Sequence, residues 1–466
     1  MISFLFYRAY RKVVSLISPS RLMVASFAGV ILLGGSLLWL PLSCRRTAAP
    51  TTFLDGLFTS TSAVCVTGLV VRDTGGDFNP FGQAVILLLI QAGGLGILTF
   101  FNLVVLARRG RVSFHERLIL EQSHGILPTI TPSQLLSRIF IYTLIIEAAG
   151  TTILTWRFSR DVPFDTALWQ GLFHSVSAFC NAGFSLFSGN LMNYREDVTV
   201  NVTIMALIVL GGLGTVVFAD LEMWFRRLGR VPRFHLLLHT KVVLWMTALL
   251  IVCGAGAILL LEVGGPALPP SAKGKLLAGF FLSITSRTAG FNTVDMAQLT
   301  NAALLVVVFL MAIGGSPGST AGGVKTTTFA TLLAYLYSRA RNRPRVEMFR
   351  RSIPADIVIK AMLTIFGFLV VVAGAVVMLQ ITELKGQPHA VHQGDYVMAH
   401  LFEVVSGLCT VGLSTGITPG LSGAGKLVII GCMFLGRLGP LVVAGSLVGS
   451  RQRIEYSYPE GKLLVG

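Results

Sequence analysis

The chain is 466 residues long, 53% hydrophobic and only 12% charged, with a mean hydropathy of +0.75. That composition excludes a soluble globular protein. The formal net charge of +16 invites a nucleic-acid reading, but the placement of the basic residues, set out below, assigns the charge to membrane topology instead.

Eight apolar runs of about 20 residues, the length that crosses a bilayer, follow one another along the chain. They lie near Leu22–Leu42, Phe81–Ala107, Leu135–Trp156, Val198–Phe225, Val242–Leu261, Ala302–Tyr337, Ile357–Ile381 and Lys426–Val448. The first run follows a basic N-terminus, but it is too long for a signal peptide and no small-x-small cleavage site follows, so it reads as a span. The predicted fold class is therefore an all-α polytopic membrane protein. Basic clusters at 8–21, 108–138, 226–241, 339–360 and 451–462 hold 24 of the 37 Lys and Arg. All five lie in segments separated by an even number of spans. The positive-inside rule then places both termini in the cytoplasm of a multi-pass plasma (inner) membrane protein, with the lipid bilayer and not nucleic acid as its partner.

Between the two spans of each pair lies a loop with a shared pattern. Phe58, Ser62, Cys65 and Gly68 recur at the same spacing as Phe173, Ser177, Cys180 and Gly183, and as Phe402, Ser406, Cys409 and Gly412. A degenerate copy holds Phe280, Arg287, Gly290 and Phe291; the four glycines are 115, 107 and 122 residues apart. The unit is span, re-entrant pore loop, span, and it gives four repeats with four-fold pseudosymmetry around one pore: 1–120, 121–235, 236–350 with a broken second span, and 351–466.

Glycine permits the positive φ that aims carbonyls at one axis. The carbonyls of Val66, Thr67 and Gly68, of Asn181, Ala182 and Gly183, of Thr288, Ala289 and Gly290, and of Thr410, Val411 and Gly412 would then replace part of a cation's hydration shell. These twelve residues include no Asp or Glu, and neutral carbonyls suit K+ better than a divalent ion. Each loop has one glycine where the TVGYG filter has two, which predicts a shorter ordered filter. The cysteines read as small packing residues behind the loops, with a shared metal site as the alternative.

Each second span carries a glycine cluster, beginning 25, 28, 24 and 24 residues after its loop glycine. Small-residue helix packing accounts for such clusters, except in the third. There Gly314, Gly315, Ser316, Pro317, Gly318, Ser319 and Thr320 run on to Gly323. Proline and repeated glycine compel an unwound segment, expected beneath the filter as a gate; a static helix break is the bland alternative. Arg437 lies too deep in the last span to reach water easily, so it is expected to face the cavity near this gate, as an electrostatic barrier or latch or simply bonded to loop carbonyls. Lys325, just after the gate, is a weaker member of the same group. Arg287 needs neutralising beside a cation path, and Glu403 is the predicted partner.

The loops TSAVCVTGL, HSVSAFCNAGFSL, TSRTAGFNTVD and GLCTVGLSTGITP, with IGGSPGSTAGGVKTTTF and FLGRLGPL, resemble the Trk/Ktr/HKT potassium-transporter superfamily. The likeness spans nearly the whole chain and is greatest to the membrane subunit of bacterial Ktr-type K+ uptake systems. It implies a homodimer with one pore per protomer, controlled by a cytosolic RCK/KTN ring that binds ATP/ADP or NAD. It also implies filter glycines at Gly68, Gly183, Gly290 and Gly412, a gate loop at 313–323 and a cavity arginine at Arg437. By the same resemblance Pro317 is a departure from many relatives and is expected to stiffen that loop. Eight spans use up the chain, so no cofactor is expected on it and nucleotide control is expected in trans; K+ is the expected cargo, with Na+ as an expected activator. Two rivals stand against this: an ion-coupled secondary transporter, which would favour inverted repeats and intramembrane acids, and a membrane enzyme. The dispersed histidines, among them His115, His124, His235, His239 and His400, supply no catalytic cluster.

Overall fold

A computed structural model describes residues 19–46, 50–107, 132–227, 235–384 and 396–439. The basic clusters at 8–12, 108–117 and 451–462 lie outside these residues, as does the last span beyond 439. Within the described residues each predicted apolar run falls on helix, save for the irregular segment at 313–325. The long helices are α1 (Pro19–Trp39), α3 (Pro80–Ala107), α4 (Pro132–Phe158), α6 (Val198–Leu213) continuing as α7 (Thr215–Arg227), α8 (Leu238–Leu261), α10 (Asn301–Ala312) resuming as α11 (Thr326–Ala340), α12 (Ala355–Leu384) and α14 (Gly423–Leu438). Four short helices stand between them: α2 (Phe53–Val64), α5 (Phe164–Phe179), α9 (Ala272–Thr285) and α13 (Tyr396–Leu408). At 12 to 16 residues and about 1.5 Å per residue, none of the four reaches across a bilayer core of about 30 Å. A two-stranded ribbon, β1 (Val346–Met348) with β2 (Arg351–Ile353), joins the third repeat to the fourth.

Among the described residues, Arg138–Phe158, Leu238–Leu261 and Ala355–Glu383 are long and apolar enough to span unbroken, and α6 and α7, bent by 96° at Gly214, reach that length only when taken together. α10 and α11 are each shorter, because an irregular segment interrupts them. The protein is a membrane protein, mostly helical.

Each short helix packs on the first long helix of its own repeat: α2 on α1, α5 on α4, α9 on α8, α13 on α12. The second long helix of each repeat packs on the short helix of the next: α3 on α5, α6 on α9, α10 on α13, and α14 back on α2. The apolar anchors of these contacts are the motif phenylalanines Phe58, Phe173 and Phe402, all fully buried. In the degenerate copy Phe280 is 36% exposed and its neighbour Phe281 is buried instead.

The repeats are also stapled internally. A charged residue at the end of the first long helix binds the N-cap of the second: Arg157 to Asp197, Glu262 to the Thr300 amide and hydroxyl (both 2.8 Å), and Glu383 to the Ser422 amide (3.2 Å) and hydroxyl (2.7 Å). Those N-cap side chains in turn accept amides at the starts of α6, α10 and α14. The free ends of these three hairpins are thereby fixed.

Candidate functional site

The four motif loops leave their short helices in the same way. Where α2, α5 and α13 end, the amides of Thr67, Ala182 and Val411 donate to the carbonyls of Ser62, Ser177 and Ser406 at 2.8, 2.7 and 2.8 Å. The third loop does the same one residue tighter, Ala289 to Thr285 at 2.9 Å. The motif serine then reaches across its own loop. Ser62 and Ser406 accept the amides of Gly68 and Gly412 (3.0 and 3.1 Å), Ser177 donates to the Phe184 carbonyl (2.8 Å), and Thr285 donates to that of Phe291 (2.6 Å). Sequence reasoning recorded this serine but gave it no task.

The backbone turns twice in each loop. Gly68, Gly183, Gly290 and Gly412 have φ of 94°, 70°, 77° and 93°, and the residues two before them, Val66, Asn181, Thr288 and Thr410, have φ of 56°, 60°, 69° and 51°. Alternating left-handed with ordinary residues turns successive carbonyls to one side, as a cation filter requires. One glycine per loop therefore does not limit the turn. The second left-handed residue is non-glycine, and β-branched in three of four, a conformation that persists only where the surroundings enforce it.

The loops enforce it on one another. A Cβ on Gly68 would lie 2.4 Å from the Ala182 carbonyl oxygen, one on Gly183 2.6 Å from that of Ala289, one on Gly290 2.4 Å from that of Val411, and one on Gly412 2.1 Å from that of Thr67. The contacts run round and close. On one side of this ring lies a cavity of about 470 Å³ lined by the four glycines and by polar residues that include Asp73, Asp77, Ser185 and Asn292.

The other side faces the irregular segment between α10 and α11. Its ends pair, Gly314 N to Val324 O at 2.9 Å and Val324 N to Ala312 O at 3.1 Å, so residues 314–324 form a closed loop. A Cβ on Gly322 would meet the Thr410 hydroxyl at 2.2 Å, and one on Gly314 the Thr288 methyl at 3.2 Å, so the loop lies directly against filter residues. It is tied on three flanks. Ser316 donates its amide (3.0 Å) and hydroxyl (2.9 Å) to Gly212 O, Thr320 donates its amide (3.3 Å) and hydroxyl (3.1 Å) to Gly211 O, and Gly318 O accepts from Thr215 N (3.2 Å). Arg437, 7% exposed, donates to the carbonyls of Thr320 and, at 2.6 Å, Gly93. Lys325 folds back to the Ala321 carbonyl at 2.6 Å.

Two expectations need correcting. Arg287 and Glu403 do not pair: the Arg287 guanidinium donates to Gly314 O at 3.3 Å, at the start of the irregular loop, while the Glu403 carboxylate takes the hydroxyls of Ser414 (3.0 Å) and Thr418. Hydroxyls two and six residues beyond the fourth glycine are simply closer partners for Glu403 than a side chain from the third repeat. The second correction concerns the glycine clusters. The second span of repeat two is broken as well, at Gly214, whose φ is 86°. Three of the clusters, this one included, make a specific contact, because a Cβ on Gly93, Gly211 or Gly436 would fall 2.0, 1.9 or 1.7 Å from the carbonyl oxygen of Val64, Phe179 or Leu408, the last residue of a short helix.

Residues 23–448 match the TrkH family, described as cation transport protein. The chain is 37% identical to the potassium/sodium uptake protein NtpJ of Enterococcus hirae, over 97% of this chain and 98% of that one. It is also 37% identical to the Ktr system potassium uptake protein B of Bacillus subtilis, over 96% and 97%. Its fold matches the crystal structure of the potassium transporter TrkH from Vibrio parahaemolyticus with a TM-score of 0.67, at 18% identity, covering 90% of this chain and 82% of that one. A match over nearly the whole length leaves one conclusion: the chain belongs to the TrkH family of cation transport proteins.

Proposed function

We propose that this chain is the K+-translocating membrane subunit of a bacterial potassium uptake system, with eight spans arranged in four-fold pseudosymmetry around one pore per chain. The observation that carries the reading is the closed ring of four glycine loops with an irregular loop latched directly beneath it. Carbonyls at Val66–Gly68, Asn181–Gly183, Thr288–Gly290 and Thr410–Gly412 dehydrate the ion, and the absence of Asp and Glu from these twelve residues favours a monovalent cation. The loop Gly314–Thr320, held by Arg437 and followed by Lys325, is the gate. Its displacement frees the path beneath the filter.

The names of the relatives, two of them potassium uptake proteins, support K+ as cargo, and the sodium in one of those names makes Na+, as competitor or activator, the ion to test against it. The chain works as a homodimer in the inner membrane with both termini cytoplasmic. A cytosolic RCK/KTN ring that binds ATP/ADP or NAD regulates it; the "Ktr system" of one relative's name supports a multi-component assembly. Complementation of a K+-uptake-deficient bacterium at low K+, with and without a co-expressed RCK subunit, tests the reading. Restored growth is expected with the pair, and failure of both despite membrane expression overturns it.

One observation favours the coupled-carrier alternative. Glu147, 6% exposed within α4, accepts from Gln91 at 3.4 Å behind the second filter loop, and a buried intramembrane acid is what ion coupling uses. If K+ uptake is coupled through it, Glu147→Gln abolishes accumulation against a gradient and leaves downhill flux intact.

A further inference from the structure

Counting from each filter glycine exposes a relation that the loop motif does not contain. Nine residues before Gly183 and Gly412 stand His174 and Glu403, and two residues after those glycines stand Ser185 and Ser414. His174 Nε2 lies 2.9 Å from Ser185 Oγ, and Ser414 Oγ donates to Glu403 Oε2 at 3.0 Å. Both acceptors are fully buried or nearly so, at 0% exposure. His174 Nδ1 is 2.7 Å from the Gln170 carbonyl, which can only accept, so Nδ1 carries the proton and Nε2 is the acceptor for the serine. The two serines then act alike a second time: Ser185 Oγ accepts the Phe187 amide and Ser414 Oγ the Gly416 amide, each at 3.0 Å and each four residues past its glycine.

Repeats one and three lack the device. Their equivalent pairs are Thr59 with Val70 and Phe281 with Asn292; Thr59 Oγ1 has no partner, and Asn292 Nδ2 turns to its own loop at Val294 O, 3.2 Å. The order of glycine contacts, 68 to 183 to 290 to 412 and back to 68, sets loops two and four across the ring from each other.

An imidazole and a carboxylate have little in common except a lone pair, so their equivalent placement identifies the shared task as accepting the serine hydroxyl proton, Glu403 taking the Thr418 hydroxyl besides. Resting on the filter reading above, we propose that His174 and Glu403 are positioning residues for ion selection. Each fixes the rotor of a serine just beyond the filter glycine, which in turn holds the outgoing strand, so that two opposed braces set the spacing of the carbonyl ring. A cation slightly smaller than K+ is rejected only if the ring cannot contract around it, and the braces resist that contraction along one diameter.

The test is the ratio of initial K+ to Na+ uptake rates by the full chain in a K+-uptake-deficient bacterium, with membrane content of each variant measured alongside. Ser185→Ala and Ser414→Ala remove one hydroxyl each and little volume. Each is expected to lower the K+/Na+ ratio about fivefold, the equivalent of one ordinary hydrogen bond, with total cation uptake retained. Glu403→Gln, whose amide oxygen still accepts, keeps most of the ratio, while Glu403→Ile loses it. Thr59→Val, at the unbraced equivalent position, keeps it. A merely structural role would reduce membrane content and leave the ratio alone. Serine variants that keep the parent ratio at parent expression overturn the braces; a parent chain that takes up neither ion overturns the filter reading itself.

Discussion

Each loop glycine here answers two demands at once. It supplies a positive φ, and it leaves room for the carbonyl of the neighbouring loop, which would sit 2.1 Å from a Cβ on Gly412. Gly412→Ala is therefore expected to cut K+ uptake by about tenfold or more, since overpacking of this kind costs about 1–3 kcal/mol; radioactive Rb+ uptake measures it. Gly436→Ala places its methyl 1.7 Å from Leu408 O, at the end of a short helix and not at a loop glycine, so its cost of about 1–3 kcal/mol should appear as a lower melting temperature in detergent. The four glycines were legible from spacing alone. The left-handed Val66, Thr288 and Thr410 were not, because local sterics argue against that conformation for β-branched residues and only the packed ring imposes it. The same limit misdirected Glu403. Opposite charges suggest a pair across repeats, and no rule of charge reveals that serine and threonine hydroxyls lie nearer.

At the scale of elements, the two broken spans teach different lessons. Five glycines and a proline between 314 and 323 foretell the break between α10 and α11 without help from any neighbour. The break at Gly214 is invisible by comparison, because Gly211-Gly212-Leu213-Gly214 repeats Gly93-Gly94-Leu95-Gly96 letter for letter, and α3 runs straight through its copy. Tertiary contact decides: Gly318 O takes the Thr215 amide, and Ser316 takes the carbonyls of Gly212 and Leu213. Deleting Gly315–Thr320 is expected to raise ion flux, and unchanged flux in a folded variant counts against a gate. Arg437→Gln removes two charge-assisted hydrogen bonds, each worth about 1.5–3 kcal/mol, so it should raise basal flux about tenfold or more. Hydrogen exchange provides the check, with faster exchange expected at the Ser316 and Thr320 amides.

Over the whole molecule, charge placement and helix packing make one joint statement about orientation. The connection from Arg339 to Arg351, with β1 and β2, belongs to the basic side, and the cavity bearing Asp73 and Asn190 to the opposite one. Single cysteines at Arg343 and Asn190 should therefore react with a membrane-impermeant thiol reagent from opposite faces of sealed vesicles, Asn190 from the outside of intact cells. Labelling of both from one face would refute the assigned topology. The repeat count and the order of helices could be read from periodicity, but the cyclic packing, with α14 returning to α2, depends on contacts between segments hundreds of residues apart.

That return contact bears on how such a chain can change over time. An assembly of four identical subunits must place any altered residue at four sites simultaneously. Here the four copies are covalently one, so Arg287, the break at Gly214 and Arg437 each occur once. The glycines have no such liberty. Since each one shelters the carbonyl beside the next, a side chain introduced in one copy is felt by its neighbour around the circle. Divergence among the copies is thus confined to everything outside the circle, and the four glycines remain the shared inheritance of otherwise individual parts.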